Sequence, residues 1–213
     1  QCRAAGKSTG AGVYRLTVPT GGGKTLGGLL FALEQACGGR ERTERVFYVA
    51  PFNTILEQNA QVIREAVQED ELLLEHHADI VFDPAEAEEM QRHRVLTERW
   101  TSRIILTSMV QLLDALFKGA NTNARRMPRL MNSILIFDEI QALPRKCTVL
   151  FECAALYLSN CLGCTVLLCT ATQPTLRCHG TDMPMGNDLA ERMDATPPLG
   201  VDLLPDTAAL FDQ

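Results

Sequence analysis

The chain has 213 residues, of which 46% are apolar and 22% charged, and a formal net charge of −6 at pH 7. A chain this long fits one ordinary domain and buries roughly 70% of its unfolded surface, so it needs no disulfide or metal staples. The acidic balance argues against passive coating of nucleic acid, though not against a groove built from backbone amides and helix starts. No apolar run approaches membrane-span length, and no charged-then-apolar leader opens the chain. The first residue is Gln1 rather than Met, as expected of a fragment or a processed product.

Residues 1–12 read as a loose N-terminal segment. Gly6-Lys7-Ser8 within it imitates the end of a phosphate-loop motif, but no strand precedes it. Residues 13–18 form a short β-branched run that reads as a buried strand. Thr20-Gly21-Gly22-Gly23-Lys24-Thr25 follows, and then Leu26, Leu29, Leu30, Leu33 and Ala36 recur at helical spacing up to Gly38-Gly39. Strand, glycine loop, Lys-Thr and helix is the layout of a phosphate-binding loop. Glycines let successive N–H groups turn inward around an anion, and the helix start adds unpaired donors and a positive dipole end. Lys24 would reach the β- and γ-phosphates of a bound nucleotide, and the Thr25 hydroxyl would ligate Mg²⁺. Val18 stands where the strict motif has Gly or Ala.

Five further apolar runs alternate with helical patterns. Residues 45–50 read as a strand, and Thr54-Ile55-Leu56-Glu57 as a capping box. The helix it opens has one apolar face, Ile55, Leu56, Val62, Ile63, Ala66 and Val67, with Asn59 as its polar exception. Residues 71–77 are a strand, and Asp83-Pro84 starts a mostly solvated helix. Residues 103–107 are a strand, and Ser108 caps a helix to about residue 117. A polar loop at 121–129 carries Arg125, Arg126 and Arg129 and reads as a solvated connection, with contact to DNA as the alternative. Residues 133–138 are a strand, 150–159 a helix and 165–172 the last strand. From Gly180 periodicity fades into an extension or linker. Alternation at this spacing predicts an α/β fold, a mostly parallel sheet with helices on both faces.

Eight cysteines are present, six of them from Cys147 onward. Cys161-x-x-Cys164 has the spacing of a metal knuckle, and Cys178-His179 could be drafted as its other half. Reduced core and surface thiols in a cytoplasmic protein are the plainer reading, because no second paired knuckle exists.

A phosphate loop alone gives binding rather than a reaction. Ile134-Leu135-Ile136-Phe137-Asp138-Glu139 supplies the rest, a buried strand with two carboxylates at its C-terminal end, where open α/β sheets hold their ligands. Asp138 would hold Mg²⁺, and Glu139 would orient and deprotonate a water. Asp138-Glu139-Ile140-Gln141 is followed 32 residues later by Thr170-Ala171-Thr172 at the end of an apolar strand.

That spacing, with residues 16–25, 50–58, 75–77, 107–111, 138–144 and 168–174 in order, resembles the helicase part of the signature helicase-nuclease of type I CRISPR interference, a superfamily 2 family. The resemblance implies a RecA-like P-loop NTPase lobe over residues 13–178, with 179–213 leading toward a second lobe. It implies ATP-dependent 3′ to 5′ unwinding, an HD nuclease domain in the same parent protein and a CRISPR surveillance complex as partner. It assigns nucleotide binding to Thr20, Gly21, Gly22, Gly23, Lys24 and Thr25, and catalysis to Lys24, Glu139 and Gln141. Metal binding falls to Thr25 and Asp138, and coupling to Thr170 and Thr172. Contacts to single-stranded DNA fall to Pro51, Phe52 and Asn53 and to Thr107 and Ser108. Gln141 stands where many relatives carry His. The His76-His77-Ala78-Asp79 run imitates an HD nuclease, but the chain holds too few further ligands, and the family's helicase lobe carries a His pair here on a strand. A nucleotide-gated interaction module without unwinding is the competing reading, and Glu139 disfavours it. A small-molecule kinase lacks an evident lid or acceptor site.

Overall fold

A computed structural model describes residues 2–19, 21–38, 43–77, 87–171 and 201–203. Among the described residues seven parallel strands form one sheet: β1 (Gly12–Thr17), β2 (Val46–Ala50), β3 (Leu73–His76), β4 (Ile104–Ser108), β5 (Ile134–Phe137), β6 (Thr165–Thr170) and β7 (Val201–Asp202), in the order β3-β4-β2-β5-β6-β1-β7. The helices are α1 (Cys2–Ser8), α2 (Lys24–Gly38), α3 (Asn53–Val67), α4 (Ala87–Arg99), α5 (Met109–Phe117), α6 (Asn121–Arg126) and α7 (Arg145–Leu162). Strands β2, β4, β5 and β6 are buried along their whole length, as expected for a parallel sheet covered on both faces.

Alternating residues of these strands feed two cores. Phe47, Val49, Leu135, Phe137, Val166 and Leu168 pack with Leu112 of α5, with Phe151 and Leu158 of α7, and with Trp100. On the other face Leu16, Tyr48, Leu106, Ile136 and Leu167 pack with Leu29 and Phe31 of α2 and with Leu56 and Ile63 of α3. Parallel pairing aligns the strands, with Leu16 opposite Cys169, Val49 opposite Thr107 and Val49 opposite Phe137. Every strand therefore delivers its carboxyl end to one edge of the sheet.

Several expectations need correction. The N-terminal segment read as loose carries α1, which lies on α2: Arg3 pairs with Glu34, and a Cβ on Gly6 would meet the Phe31 carbonyl oxygen at 2.4 Å. Residues 201–203, assigned by composition to an extension outside the lobe, supply β7. It pairs with β1 and is fastened by the Arg15–Asp202 ion pair at 2.8 Å. Helix α3 begins at Asn53, so Thr54 already lies in helical geometry; Phe52 takes the cap position and no side chain caps the helix there. The expected 150–159 helix runs instead over α7, from Pro144 at its cap to Gly163 in the left-handed region. The expected Asp83-Pro84 helix start lies outside the described residues.

The 121–129 stretch is not a solvated loop. It forms α6 and a short 3₁₀ turn, Met127–Leu130. Asn123 donates to the Asp114 and Lys118 carbonyls at 2.8 and 3.0 Å, closing the end of α5. Arg126 is buried: its Nε donates to the Thr97 carbonyl at 2.9 Å, and its guanidinium lies 5.2 Å from the centroid of Trp100. Arg125 stays exposed. The Trp100 indole donates to His76 Nδ1 at 3.2 Å, which puts the single proton of the neutral ring on Nε2, 3.3 Å from Arg126 Nη2; a second ring proton on Nδ1 would face the Trp100 N–H. Burial, and then the Arg126 charge, push the His76 imidazole down to about 3.

Two outcomes follow. In denaturant titration, Gly6→Val lowers stability by about 1–3 kcal/mol through overpacking against α2, whereas Gly119→Ala, with open space around it, stays within about 0.5 kcal/mol. His76 is neutral in the folded chain, while the unfolded chain binds a proton below its ordinary value of 6.5. Its contribution to stability is therefore whole above pH 6.5 and declines as pH falls toward 3. Thermal unfolding of His76→Gln against wild type should show a deficit at pH 7 that narrows by up to about 1.4 kcal/mol per pH unit on acidification toward pH 5.

Candidate active site

The turn between β1 and α2 is built by its glycines. Gly21 and Gly23 have φ of 81° and 74°, which residues with side chains rarely adopt. At Gly22 the constraint is close approach: a Cβ there would lie 2.5 Å from Val18 Cγ1 and 3.0 Å from the Pro19 carbonyl oxygen. Val18, in the place of the usual small residue, is thus accommodated by a glycine four positions on. The turn closes with Gly22 N–H donating to Pro19 at 3.0 Å, and α2 starts with Gly27 N–H donating to Gly23 at 2.8 Å. Thr20 lies outside the described residues.

Lys24 opens α2, yet it is only 8% exposed. Its Nζ pairs with Glu139 Oε1 at 2.6 Å. Glu139 follows β5 in the left-handed region, φ 49° and ψ 41°, a conformation that costs a non-glycine residue free energy and is concentrated at functional sites. That turn swings the Glu139 carboxylate toward the glycine loop. Its other oxygen accepts from Gln141 Nε2, and Gln141 Oε1 accepts from the Thr170 hydroxyl at 2.7 Å. A continuous relay thus runs from the end of β6 through the turn after β5 to the start of α2. Thr172 lies outside the described residues.

Asp138 is 3% exposed. Its N–H donates to the Val49 carbonyl at 2.9 Å, which extends the β5–β2 pairing. Oδ1 accepts the Glu139 N–H at 2.9 Å. Oδ2 accepts from the Tyr48 hydroxyl and, at 3.1 Å, from Asn59 Nδ2. Asn59 Oδ1 in turn accepts from the Thr25 hydroxyl at 3.1 Å. Burial raises the Asp138 carboxyl above the usual range, against the Tyr48 hydrogen bond, which lowers it. Burial, with the Asp138 charge, drives the Tyr48 phenol far above its ordinary value, so Tyr48 stays a proton donor.

Thr25 and Asp138 offer hard oxygen donors on one side of the loop. Among the described residues no group of three His, Cys, Asp or Glu side chains could hold a metal. That donor set fits Mg²⁺, which binds through one or two protein oxygens plus phosphate and water rather than in an all-protein cage. It does not suit zinc: Cys164 is buried with its thiol donating to the Leu130 carbonyl at 2.8 Å, and Cys178 and His179 lie outside the described residues.

The remaining candidates stand on the same edge. Pro51 and Phe52 connect β2 to α3, and Phe52 is exposed. Ser108 caps α5, its Oγ accepting from Gln111 N–H at 3.4 Å. Thr107 is fully buried and donates to the His76 carbonyl at 3.1 Å, so its hydroxyl serves the β3–β4 pair rather than the surface. Tyr48 and Asn59 were not among the residues marked in the sequence as functional. The signal for Asn59 was its place on an apolar helix face; Tyr48, inside a uniformly buried strand, left none.

The DEAD/DEAH box helicase family model matches residues 6–178. A curated relative, the CRISPR-associated nuclease/helicase Cas3 of Haloferax volcanii, is 30% identical over 188 residues, covering 77% of this chain and 19% of that protein. The T. fusca Cas3–ADP crystal structure superposes with a TM-score of 0.67 at 20% identity, over 82% of this chain and 21% of that one. The crystal structure of T. fusca Cas3 gives 0.66 at 18% identity, with the same coverage. Likeness at that identity speaks for the fold, a RecA-like parallel sheet flanked by helices. The chain spans about a fifth of the length of these relatives. The matched segment takes in the glycine loop, the Asp138-Glu139 strand end and Thr170, and the chain belongs to the DEAD/DEAH box helicase family.

Proposed function

We propose that this chain is the ATP-binding lobe of an ATP-dependent DNA helicase that acts in CRISPR interference, unwinding DNA 3′ to 5′ and feeding it to a nuclease domain of the same parent protein. The observation that carries the reading is the meeting of Lys24, Thr25, Asp138 and Glu139 at one sheet edge, with Gln141 and Thr170 joined to them. The relative's name, a CRISPR-associated nuclease/helicase, supports the CRISPR setting; a surveillance complex as partner and a cytoplasmic location belong to the same proposal. The lobe takes in α1 and β7 as well as residues 13–178, and a second RecA-like lobe completes the motor in the parent protein.

In this reading the loop amides and Lys24 cradle the triphosphate, and Lys24 exchanges its Glu139 partner for phosphate oxygens. Mg²⁺, held by Thr25 and Asp138, would neutralise charge on the β- and γ-phosphates. Glu139, released from Lys24, accepts the proton of the attacking water. Gln141 keeps that carboxylate in register with Thr170. Pro51, Phe52, Asn53 and the 107–108 strand end face a single strand of DNA along the same edge, with helix starts offering N–H donors to its phosphates. The fully buried Thr107 hydroxyl leaves Ser108 and the main chain as the donors there.

An arginine finger from a second lobe is worth roughly 10³–10⁵ in rate at related phosphoryl-transfer sites. The 213-residue chain by itself is therefore expected to bind ATP and to hydrolyse it slowly, even with single-stranded DNA. Equilibrium binding of labelled ATP, combined with phosphate-release assays, tests this. Lys24→Ala should abolish binding. Glu139→Gln, which removes the carboxylate that ATP must displace from Lys24, should bind ATP at least as tightly as wild type and lose at least about 10²-fold in hydrolysis, as expected for loss of a general base. Undiminished turnover by Glu139→Gln would remove Glu139 from the chemistry.

A further inference from the structure

Asn59 is the polar residue on the apolar face of α3, and its side chain is committed at both ends. Oδ1 accepts from Thr25 Oγ1 at 3.1 Å. Nδ2 donates to Asp138 Oδ2 at 3.1 Å and lies 3.0 Å from the Tyr48 hydroxyl, which also donates to Asp138 Oδ2. Thr25 comes from α2, Asp138 from the end of β5, Tyr48 from β2 and Asn59 from α3. One amide therefore joins the two side chains that the proposed function assigns to the cation.

The hydrogen-bond directions give this arrangement its chemistry. A hydroxyl that ligates a cation must turn a lone pair toward it, so its proton has to point elsewhere. Asn59 Oδ1 receives that proton and leaves the Thr25 lone pairs outward. A carboxylate ligand must keep one rotamer while it is exchanged between partners. Two donors on Oδ2 and the Glu139 N–H on Oδ1 fix the Asp138 plane from both sides. Partners of this kind, behind the ligands rather than on the metal, orient ligands and typically change metal affinity 10–100-fold when removed.

We propose that Asn59, backed by Tyr48, is a positioning residue that orients the Thr25 hydroxyl and the Asp138 carboxylate toward the divalent cation of a bound nucleotide. This rests on the nucleotide-binding reading above. It gives α3 a second duty: the helix that begins at Asn53, beside the exposed Phe52, also holds the side chains assigned to the cation, about 9 Å further along at 1.5 Å per residue.

The test is titration of the full chain with a fluorescent N-methylanthraniloyl ATP analogue, in excess EDTA and across a MgCl₂ series. For wild type, Mg²⁺ should tighten binding. Asn59→Ala should shift the half-saturating Mg²⁺ concentration upward by about 10–100-fold, while nucleotide affinity in EDTA stays within about twofold. Tyr48→Phe keeps the buried ring and loses one donor, and should shift the Mg²⁺ midpoint in the same direction by about threefold or more, the scale of one hydrogen bond. Equal loss of affinity with and without Mg²⁺ would make Asn59 a purely structural plug and overturn the proposal, as would unchanged Mg²⁺ midpoints in both variants. If Asn59→Ala fails to fold, as judged by its far-ultraviolet dichroism, the Tyr48→Phe midpoint decides alone. Wild type that binds no nucleotide in either condition would instead overturn the nucleotide reading itself.

Discussion

A parallel sheet has a direction, and the site depends on that constraint. Because every strand runs the same way, the loop after β1, the carboxylates after β5 and Thr170 at the end of β6 are all brought to one edge. Strand order then sets their spacing. β6 lies between β5 and β1, so the acids and the glycine loop are separated by one strand, and the side chains of Lys24 and Glu139 span that gap. Neither residue could reach the other from a different order without a longer connection.

The same edge departs most from the apolar logic of the interior. Tyr48 and Asp138 are both nearly inaccessible, and a carboxylate so placed is tolerated only when its oxygens are satisfied. Here each oxygen has partners, so the polar cluster is fully connected rather than half made. A second buried cluster, His76 with Trp100, Arg126 and Thr107, lies beneath the end of β4. The two clusters differ in what they leave free. The first presents Thr25 and Asp138 toward the loop, whereas the second turns its groups toward one another and stiffens the strand end that carries Ser108.

The sheet was legible because its strands are short β-branched and apolar runs separated by helical periodicity; the boundaries expected for residues 13–18, 45–50, 103–107 and 133–138 differ from the observed ones by no more than one residue at either end. The glycine loop and the Asp138-Glu139 pair were legible because their chemistry is written in adjacent residues. What could not be read was whatever depended on a distant partner. Cys2–Ser8 looked loose because its helix is held by α2. Val201–Asp202 looked like linker because two residues carry no period, and only β1 makes them a strand. Arg126 looked solvated because an arginine in a polar run normally is; its burial depends on Trp100 and His76, each more than twenty residues away. Asn59 was noticed as an anomaly without a role, since the side chains it joins lie on three other elements.

The Lys24–Glu139 pair carries a consequence for selectivity. A glycine loop with a bare lysine would attract any small anion, and cells hold inorganic phosphate in abundance. With Glu139 already at 2.6 Å, the lysine's charge is matched in the resting chain. A single phosphate must displace that carboxylate with few contacts to offset the loss, while a polyphosphate chain reaches the loop amides and the lysine together. Under the proposed function, the acid assigned to the chemistry would thus also be an occupant of its own site, and a ligand long enough to replace it on several fronts would turn it out more readily than a single phosphate.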